Sequence, residues 1–278
     1  MPADQTLTTI SPVSPVAGYI GGKRNLASRL TAIIDRVPHT AYFEPFVGMG
    51  GIFLRRRRKP RSEAINDVSG DVANLFRILQ EHYPYLLDML RFRVTSRAEF
   101  DRLRALPPDR LTDLQRAARF LYLQRLSFGG KVSGRTFGVD PRGPARFDVT
   151  RLEPMLADVH DRLASVVIEQ LPYAAFIRRY DHEGALFYLD PPYWDCERDY
   201  GEGVFAREDF ASLAAQLGAL KGHFLLSIND TVGVRETFSA FTQLPVAVRY
   251  TIAGKAAARA VPRGELIISD LPLALLAP

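Results

Sequence analysis

The chain has 278 residues, of which 47% are hydrophobic and 24% are charged, and this balance excludes wholesale disorder. Its length suits one large domain, or one domain with a smaller insert. The single cysteine, Cys196, excludes an intrachain disulfide framework and any cysteine-rich metal site. The apolar runs are too short to span a bilayer, and the N-terminus does not read as a secretory signal, so we expect a cytoplasmic protein.

The net charge of +5 is unevenly distributed along the chain. Residues 91–151 contain 14 Lys or Arg and 6 Asp or Glu, a net charge of +8, so the remainder of the chain is slightly acidic. A basic segment of this kind indicates a polyanionic partner such as nucleic acid, although a solvated, Arg-rich helical surface would show the same pattern.

In chain order, a leader rich in Pro, Ser and Thr is followed by alternating strand and helix patterns, which predict a mostly parallel α/β sheet. Over residues 84–150 the sequence pattern becomes mainly helical and is then interrupted by glycines. The α/β pattern resumes afterwards. A closing antiparallel hairpin ends the chain. The predicted strands span residues 40–46, 64–67, 166–169, 185–190, 223–228, 246–252 and 265–269. The predicted helices span residues 51–58, 68–82, 117–126, 152–163, 174–180 and 207–220.

These patterns predict the following domain organisation. Residues 1–16 form a disordered leader, because they offer little to bury. Residues 17–83 and 151–278 together form one catalytic domain. Residues 84–150, which carry most of the basic excess, form an inserted subdomain.

The first candidate site is the glycine turn Phe46-Val47-Gly48-Met49-Gly50, which follows a predicted strand. Such a turn lets a ligand approach the backbone at the carboxyl end of a sheet. Asp67 ends the next strand, where a carboxylate can accept the ribose hydroxyls of a nucleoside cofactor. A dinucleotide fingerprint would need a third glycine where this chain has Phe53. A tight turn and a helix cap without any ligand remain the structural alternatives.

The second candidate site is Asp190-Pro191-Pro192-Tyr193, directly after the most apolar predicted strand. Two prolines fix the backbone and remove two N–H donors, which leaves a rim rich in acceptors beside an aromatic ring. The Asp190 carboxylate and the Pro191 carbonyl suit an amino group on a flat ring, and Tyr193 suits stacking on that ring. The alternative is a stiff turn with a buried tyrosine.

Together with Gly21-Gly22-Lys23 and the run from Phe43 to Gly50, these motifs make the chain resemble the Dam-like (D12 class) DNA adenine-N6 methyltransferases of bacteria and phages. The resemblance extends over residues 17–270. It implies a Rossmann-like methyltransferase sheet, S-adenosylmethionine (SAM) as cofactor, methylation of N6 of a flipped adenine in double-stranded DNA, and use in restriction–modification. It leads us to expect a monomer that needs neither metal nor membrane.

The resemblance also implies roles for individual positions. The cofactor-binding residues would be Tyr19, Gly22, Lys23, Glu44, Pro45, Phe46, Gly48, Gly50, Asp67 and Asp190. Lys23 would hold the methionyl carboxylate and Asp67 the ribose hydroxyls. The catalytic residues would be Asp190, Pro191, Pro192 and Tyr193.

In the insert we expect Lys131 and Arg135 to touch DNA phosphates, with Arg125 as a further candidate. The family often has an Asn-rich stretch at residues 124–131, from which this chain departs, so no target sequence can be carried over. Three alternatives stay open: methylation of cytosine N4, a DNA-binding protein with a vestigial cofactor site, and a nicotinamide dehydrogenase, against which Phe53 argues.

Overall fold

The most apolar segments of the chain form the centre of a parallel sheet that is covered on both faces. The computed structural model describes residues 7–138, 142–197, 201, 203–248 and 263–277. Over these residues the strands are β1 (Thr8–Thr9), β2 (Ala41–Glu44), β3 (Arg58–Lys59), β4 (Ser62–Asn66), β5 (Val167–Glu169), β6 (Ala185–Leu189), β7 (His223–Asn229), β8 (Thr242–Val248) and β9 (Arg263–Ser269). The helices are α1 (Ala27–Arg36), α2 (Gly70–Glu81), α3 (Tyr83–Leu90), α4 (Arg97–Ala105), α5 (Asp113–Leu126), α6 (Val149–Leu163), α7 (Tyr173–Tyr180), α8 (Arg207–Gly218), α9 (Val232–Thr237) and α10 (Leu273–Leu276). Short 3-10 helices cover Phe53–Arg55, Pro108–Arg110 and Phe128–Gly130.

Over the described residues the main sheet has seven strands in the order β5-β4-β2-β6-β7-β9-β8. The first five are parallel, and β9 is antiparallel to both of its neighbours, so β8 runs in the direction of β7. The strands β2 and β6 are neighbours, but the next strand after β2 lies on one side of this pair and the next strand after β6 lies on the other. Open α/β sheets bind ligands at such a switch point. This topology confirms the mostly parallel sheet with a closing antiparallel hairpin. Residues 249–252 of the predicted hairpin lie outside the described residues.

The helices of the insert share one hydrophobic core with the helices that cover the sheet. Helix α5 is buried around most of its circumference because α2, α3 and α4 all pack against it. It starts with a capping box, in which Thr112 and Gln115 bond reciprocally to each other's backbone N–H. The segment after α5 is closed by an antiparallel bridge between Ser127 and Phe137. The predicted insert is therefore packed against the helices that cover the sheet.

The prediction of a disordered leader is wrong for residues 7–16. Strand β1 pairs with β3, and Val13 donates its N–H to the carbonyl oxygen of Leu54 at 2.7 Å. Val16 is only 2% exposed and belongs to the core. The high Pro, Ser and Thr content of the leader predicted disorder. Composition alone does not show that the few apolar residues of the leader are covered by another segment of the chain. Residues 1–6 lie outside the described part of the chain.

The predicted helix over residues 51–58 is also wrong, since only the short 3-10 helix Phe53–Arg55 forms. The chain turns extended at Arg56, whose side chain is fully buried. The Arg56 guanidinium donates to Glu63 Oε1 at 2.8 Å and lies 3.7 Å from the centre of the Tyr42 ring. Arg162 pairs with the same carboxylate at 2.7 Å. Arg56 and Arg162 thus share one buried carboxylate, and neither guanidinium is left without a counter-charge.

Candidate active site

The glycine turn after β2 forms one side of a cavity of about 1060 Å³ at the carboxyl edge of the sheet. Gly48 and Gly50 have φ values of 51° and 73°, a conformation that other residues rarely adopt. A Cβ atom on Gly48 would lie 3.0 Å from the Tyr19 ring, so the glycine also makes room for that ring. Asp67 accepts hydrogen bonds from the backbone N–H groups of Gly48 and Ser69, each at 2.9 Å. Its carboxylate therefore holds the turn in place while it lines the cavity.

The structure brings nearly all of the predicted cofactor residues to this cavity. The lining includes Tyr19, Gly22, Lys23, Glu44, Pro45, Phe46, Gly48, Asp67 and Asp190. Gly50 serves packing behind the turn, since a Cβ atom there would lie 2.9 Å from Leu54 Cγ. Within the Asp-Pro-Pro-Tyr segment, Asp190 and Pro192 contribute to the lining. Pro191 is buried beside them.

Lys23 lies at the centre of a buried charged cluster on the cavity wall. Its Nζ atom is 2.9 Å from Asp190 Oδ1 and 3.4 Å from Glu265 Oε2, and its side chain is only 1% exposed. Nζ also donates to the Tyr193 hydroxyl, which donates in turn to Glu265 Oε1. The ammonium group is thus engaged by carboxylates of this chain. This geometry favours a role for Lys23 in orienting Asp190 over the predicted contact with a methionyl carboxylate.

Two residues that the sequence analysis does not single out hold the loop after β6. The Asn229 amide accepts the Trp194 N–H at 2.9 Å and donates to the Trp194 carbonyl oxygen at 3.0 Å. Glu265, its partner across the β7–β9 ladder, accepts from the Tyr193 hydroxyl. The sequence does give a signal for Asn229, because this residue ends a buried strand, just as Asp190 directly follows one. Glu265 gives no such signal, since it lies inside an antiparallel strand whose register no local pattern reveals.

Three carboxyl groups of the cavity lining have raised pKa values. Burial raises the pKa of Glu44 to about 8, and Asp190 and Glu63 add to the rise, whereas the Tyr42 hydroxyl, 2.6 Å from Glu44 Oε1, and Arg56 oppose it. Burial also raises the pKa of Asp190 to about 6 against the opposing effect of Lys23, and the pKa of Asp67 to about 6 against its two N–H donors. A bound cation would ionise all three groups more fully.

An aromatic wall of Phe46, Tyr173 and Phe205 lines the cavity beside the glycine turn. The ring centre of Phe46 lies 5.4 Å from that of Tyr173 and 6.0 Å from that of Phe205, and the latter two are 5.8 Å apart. The Tyr173 hydroxyl donates to Asp209 Oδ1 at 3.2 Å. The sequence motifs do not point to Tyr173 or Phe205. Tyr173 was within reach, because it follows β5 and the carboxyl ends of parallel strands meet at one edge.

Arg125 contributes to the structure of the insert rather than presenting a free charge. Its guanidinium donates to the carbonyl oxygen of Val16 at 2.5 Å and to that of Arg146 at 2.9 and 3.1 Å. It therefore ties the leader to α5. Lys131 is exposed at the start of the segment after the 3-10 helix, so its position is compatible with a phosphate contact.

Arg135 also faces the cavity rather than bulk solvent. It donates to Gln124 Oε1 at 3.1 Å, and its guanidinium lies 5.3 Å from the centre of the Phe120 ring. Gln124 is 1% exposed and donates through its amide nitrogen to the carbonyl oxygens of Gly18 and Gly130 at 2.9 and 2.7 Å. Arg135 therefore stabilises the junction between the predicted insert and the segment around Gly18 that lines the cavity.

Across the residues that the structure describes, no group of three or more His, Cys, Asp or Glu side chains is placed to share a metal ion. Within the same ranges, no helix combines the length and apolar character needed to cross a membrane. Cys196 is partly buried, and its backbone N–H donates to the Tyr193 carbonyl oxygen at 2.9 Å.

The strand order, with its single reversed strand β9, and a cavity between the glycine turn and Asp190 are those of a Rossmann-like methyltransferase. Residues 19–252 match the family described as D12 class N6 adenine-specific DNA methyltransferase, and the chain belongs to that family. It is a DNA methyltransferase, as the motifs predicted, and the dehydrogenase alternative is excluded.

Relatives agree with this assignment. The chain is 22% identical over 242 residues to the Type II methyltransferase M.CviBI of Paramecium bursaria Chlorella virus NC1A. The matched region covers 86% of this chain and 91% of that protein. It is 25% identical over 209 residues to the Type II methyltransferase M1.LlaDCHI of Lactococcus lactis subsp. cremoris, which covers 71% of this chain and 72% of that protein.

Proposed function

We propose that this chain binds SAM in the cavity and transfers its methyl group to N6 of an adenine flipped out of duplex DNA. The placement of Asp190 carries the proposal, because this hydrogen-bond acceptor lines the same cavity as the glycine turn and Asp67. An acceptor for an amino group and a cradle for a nucleoside cofactor therefore share one space.

The residues present fit SAM. Its sulfonium and ammonium groups are cationic, and the lining supplies the carboxyl groups of Glu44, Asp67 and Asp190. Each Asp67 oxygen accepts one backbone N–H and retains capacity for another hydrogen bond, as two ribose hydroxyls require. The wall of Phe46, Tyr173 and Phe205 suits the flat face of an adenine.

The bound cofactor supplies an activated methyl group, and the protein has to align and polarise the acceptor nitrogen. Hydrogen bonds from N6 to the Asp190 carboxylate and the Pro191 carbonyl would draw the nitrogen toward tetrahedral geometry and stabilise its developing positive charge. Lys23 and Glu265 hold the Tyr193 hydroxyl, which fixes the ring on which the flipped base would stack. Correct alignment places the reacting atoms about 3 Å apart.

Duplex DNA would approach the insert at residues 84–150, where the positive charge is concentrated. An adenine has to leave the base stack because its amino group cannot otherwise reach a buried site. Lys131, which is exposed, is the preferred phosphate contact, and Arg125 and Arg135 act through the junction described above. We further propose that the chain acts as a monomer. Both relatives are named Type II methyltransferases, which supports a role in restriction–modification.

The test is to incubate the chain with SAM carrying a labelled methyl group and mixed-sequence duplex DNA, and to identify labelled nucleosides by mass spectrometry. N6-methyladenine is the expected product. Labelled N4-methylcytosine, or no transfer despite calorimetric binding of SAM, would contradict the proposal. Sequencing the modified sites would then define the recognition sequence.

A further inference from the structure

Glu265 lies on β9, next to the edge strand β8, and its carboxylate reaches the cluster around Asp190. It is 1% exposed and sits on β9 between Asn229 of β7 and Val246 of β8. Directly opposed residues of an antiparallel pair project to the same face. The Glu265–Asn229 pair therefore holds two successive loop residues, Tyr193 through its hydroxyl and Trp194 through its backbone.

The charges of the cluster do not cancel. Asp190 and Glu265 both pair with the single ammonium group of Lys23, so two carboxylates and one ammonium sum to a charge of −1. If Glu265 were neutral, Lys23 would be balanced by Asp190 alone. A negative cluster beside the cavity stabilises the positive charge that develops on an attacking amino group, and a buried, water-poor site strengthens this effect.

We propose that Glu265 is a positioning residue of the methyl-transfer site, which fixes the Tyr193 ring and shares Lys23 with Asp190 so that the cluster keeps its net negative charge. This inference rests on the proposed function. It assigns to strand β9 a part in the reaction, beyond its part in closing the sheet.

The protonation of Asp190 gives a readout that a purely structural role would not move. Its charged and titratable neighbours are Lys23 from the N-terminal segment, Glu44 from β2, Tyr188 from β6 and Glu265 from β9. Burial raises the pKa of Asp190 to about 6, the contacts with Lys23 oppose this rise, and the Glu265 charge adds to it. Replacing Glu265 by a neutral residue removes that charge and leaves Asp190 as the carboxylate that pairs with Lys23. Both changes lower the pKa of Asp190.

The experiment compares E265Q, which keeps an acceptor but removes the charge, with E265D, which keeps the charge. E183Q is the matched control, since Glu183 is exposed and precedes β6 at the opposite edge of the sheet. For each variant we would measure single-turnover methyl transfer at saturating SAM and DNA, SAM affinity by calorimetry, and the melting temperature. The apo-protein Asp190 carboxyl would be titrated by carbon NMR.

For E265Q we expect at least a tenfold slower transfer with DNA affinity within about threefold of wild type, a weaker affinity for SAM, and an Asp190 titration displaced to lower pH. E265D should recover part of the rate, and E183Q should match wild type. An E265Q variant with wild-type rate and an unmoved Asp190 titration would overturn the inference. So would a slower variant in which only the melting temperature falls.

Failure of the proposed function has a different signature. A wild-type chain that transfers no methyl group to DNA overturns the proposed function, and the inference with it. An active wild-type chain accompanied by an equally active E265Q variant overturns the inference alone.

Discussion

The backbone N–H of Ile20 donates to the carbonyl oxygen of Gly130 at 3.0 Å, and this bond joins the cofactor side of the cavity to the insert. Gln124 reinforces the junction by donating to the carbonyl oxygens of Gly18 and Gly130. The segment that carries Tyr19 against the glycine turn is therefore held by the segment that precedes Lys131. The proposed DNA contact at Lys131 and the proposed cofactor contact of Tyr19 therefore lie on one connected piece of backbone.

Alanine substitutions at two adjacent glycines should separate backbone strain from this contact. Gly129 and Gly130 share a φ of 67°, so each alanine costs about 1 kcal/mol of unfolding free energy through its left-handed conformation. A Cβ atom on Gly129 meets nothing within 4 Å, whereas one on Gly130 would lie 2.9 Å from the Tyr19 nitrogen. We expect G130A to be the less stable variant in denaturant titrations, and to lose SAM affinity that G129A retains. Equal behaviour of the two variants would contradict a role for the junction.

Replacing Asp190 should separate binding from chemistry. We expect D190A to lower the methyl-transfer rate by at least about 100-fold, because the main acceptor for the amino group is lost, while SAM binding stays measurable. Transfer of a labelled methyl group to filter-bound DNA would give the rate, and calorimetry would give the affinity for SAM. D195N is the matched control, since Asp195 lies in the same loop but is exposed and pairs with Arg207. Near-normal turnover of D190A would disprove the mechanism.

The stability of the cofactor-free protein should depend on Glu44. Its pKa rises from 4.5 to about 8 on folding, so the folded chain holds this proton more tightly than the unfolded chain. The associated stability is fully present below pH 4.5 and is lost as the pH rises through about 8. We expect E44Q to flatten this decline in urea titrations between pH 5 and 9, and E208Q, at an exposed site on α8, to leave it unchanged.

The same proton should couple to cofactor binding. A cationic ligand favours the Glu44 carboxylate, so SAM binding near pH 7 should release protons, and its affinity should rise with pH. Calorimetry in buffers of different ionisation enthalpy measures the released protons directly. An E44Q variant that releases as many protons as wild type would assign them to another group.

Charge reversal at Lys131 should weaken DNA binding for all sequences alike. Loss of one phosphate contact lowers the slope of log affinity against log salt by about 1, and K131E should show this change. K221E is the matched control, because Lys221 is exposed just before β7, at the edge of the sheet away from the cavity. If the salt dependence of K131E equals that of K221E, Lys131 does not contact the phosphates. Charge reversal at Arg135 should also lower stability, since it breaks the bond to Gln124.

Local patterns were sufficient where a residue's role depends on its neighbours in the chain. Buried parallel strands are continuous apolar runs, and their ends carry Asp67 and Asp190, so the sheet and the residues at its edge were both predictable. The capping box at Thr112 is equally local. Local patterns failed for the leader, whose order depends on pairing with β3, and for Arg56, whose burial depends on Glu63 and Tyr42.

By itself the sequence determined the class of protein, through the glycine turn, the Asp-Pro-Pro-Tyr motif and the central basic segment. Only the tertiary structure decided that Lys23 pairs with Asp190 and Glu265, and that Arg125 and Arg135 serve the junction of the insert. The physical reason is that the residue at the end of a strand can be read from the local sequence. Which charged side chains then share a buried site depends on register and packing between segments far apart in sequence.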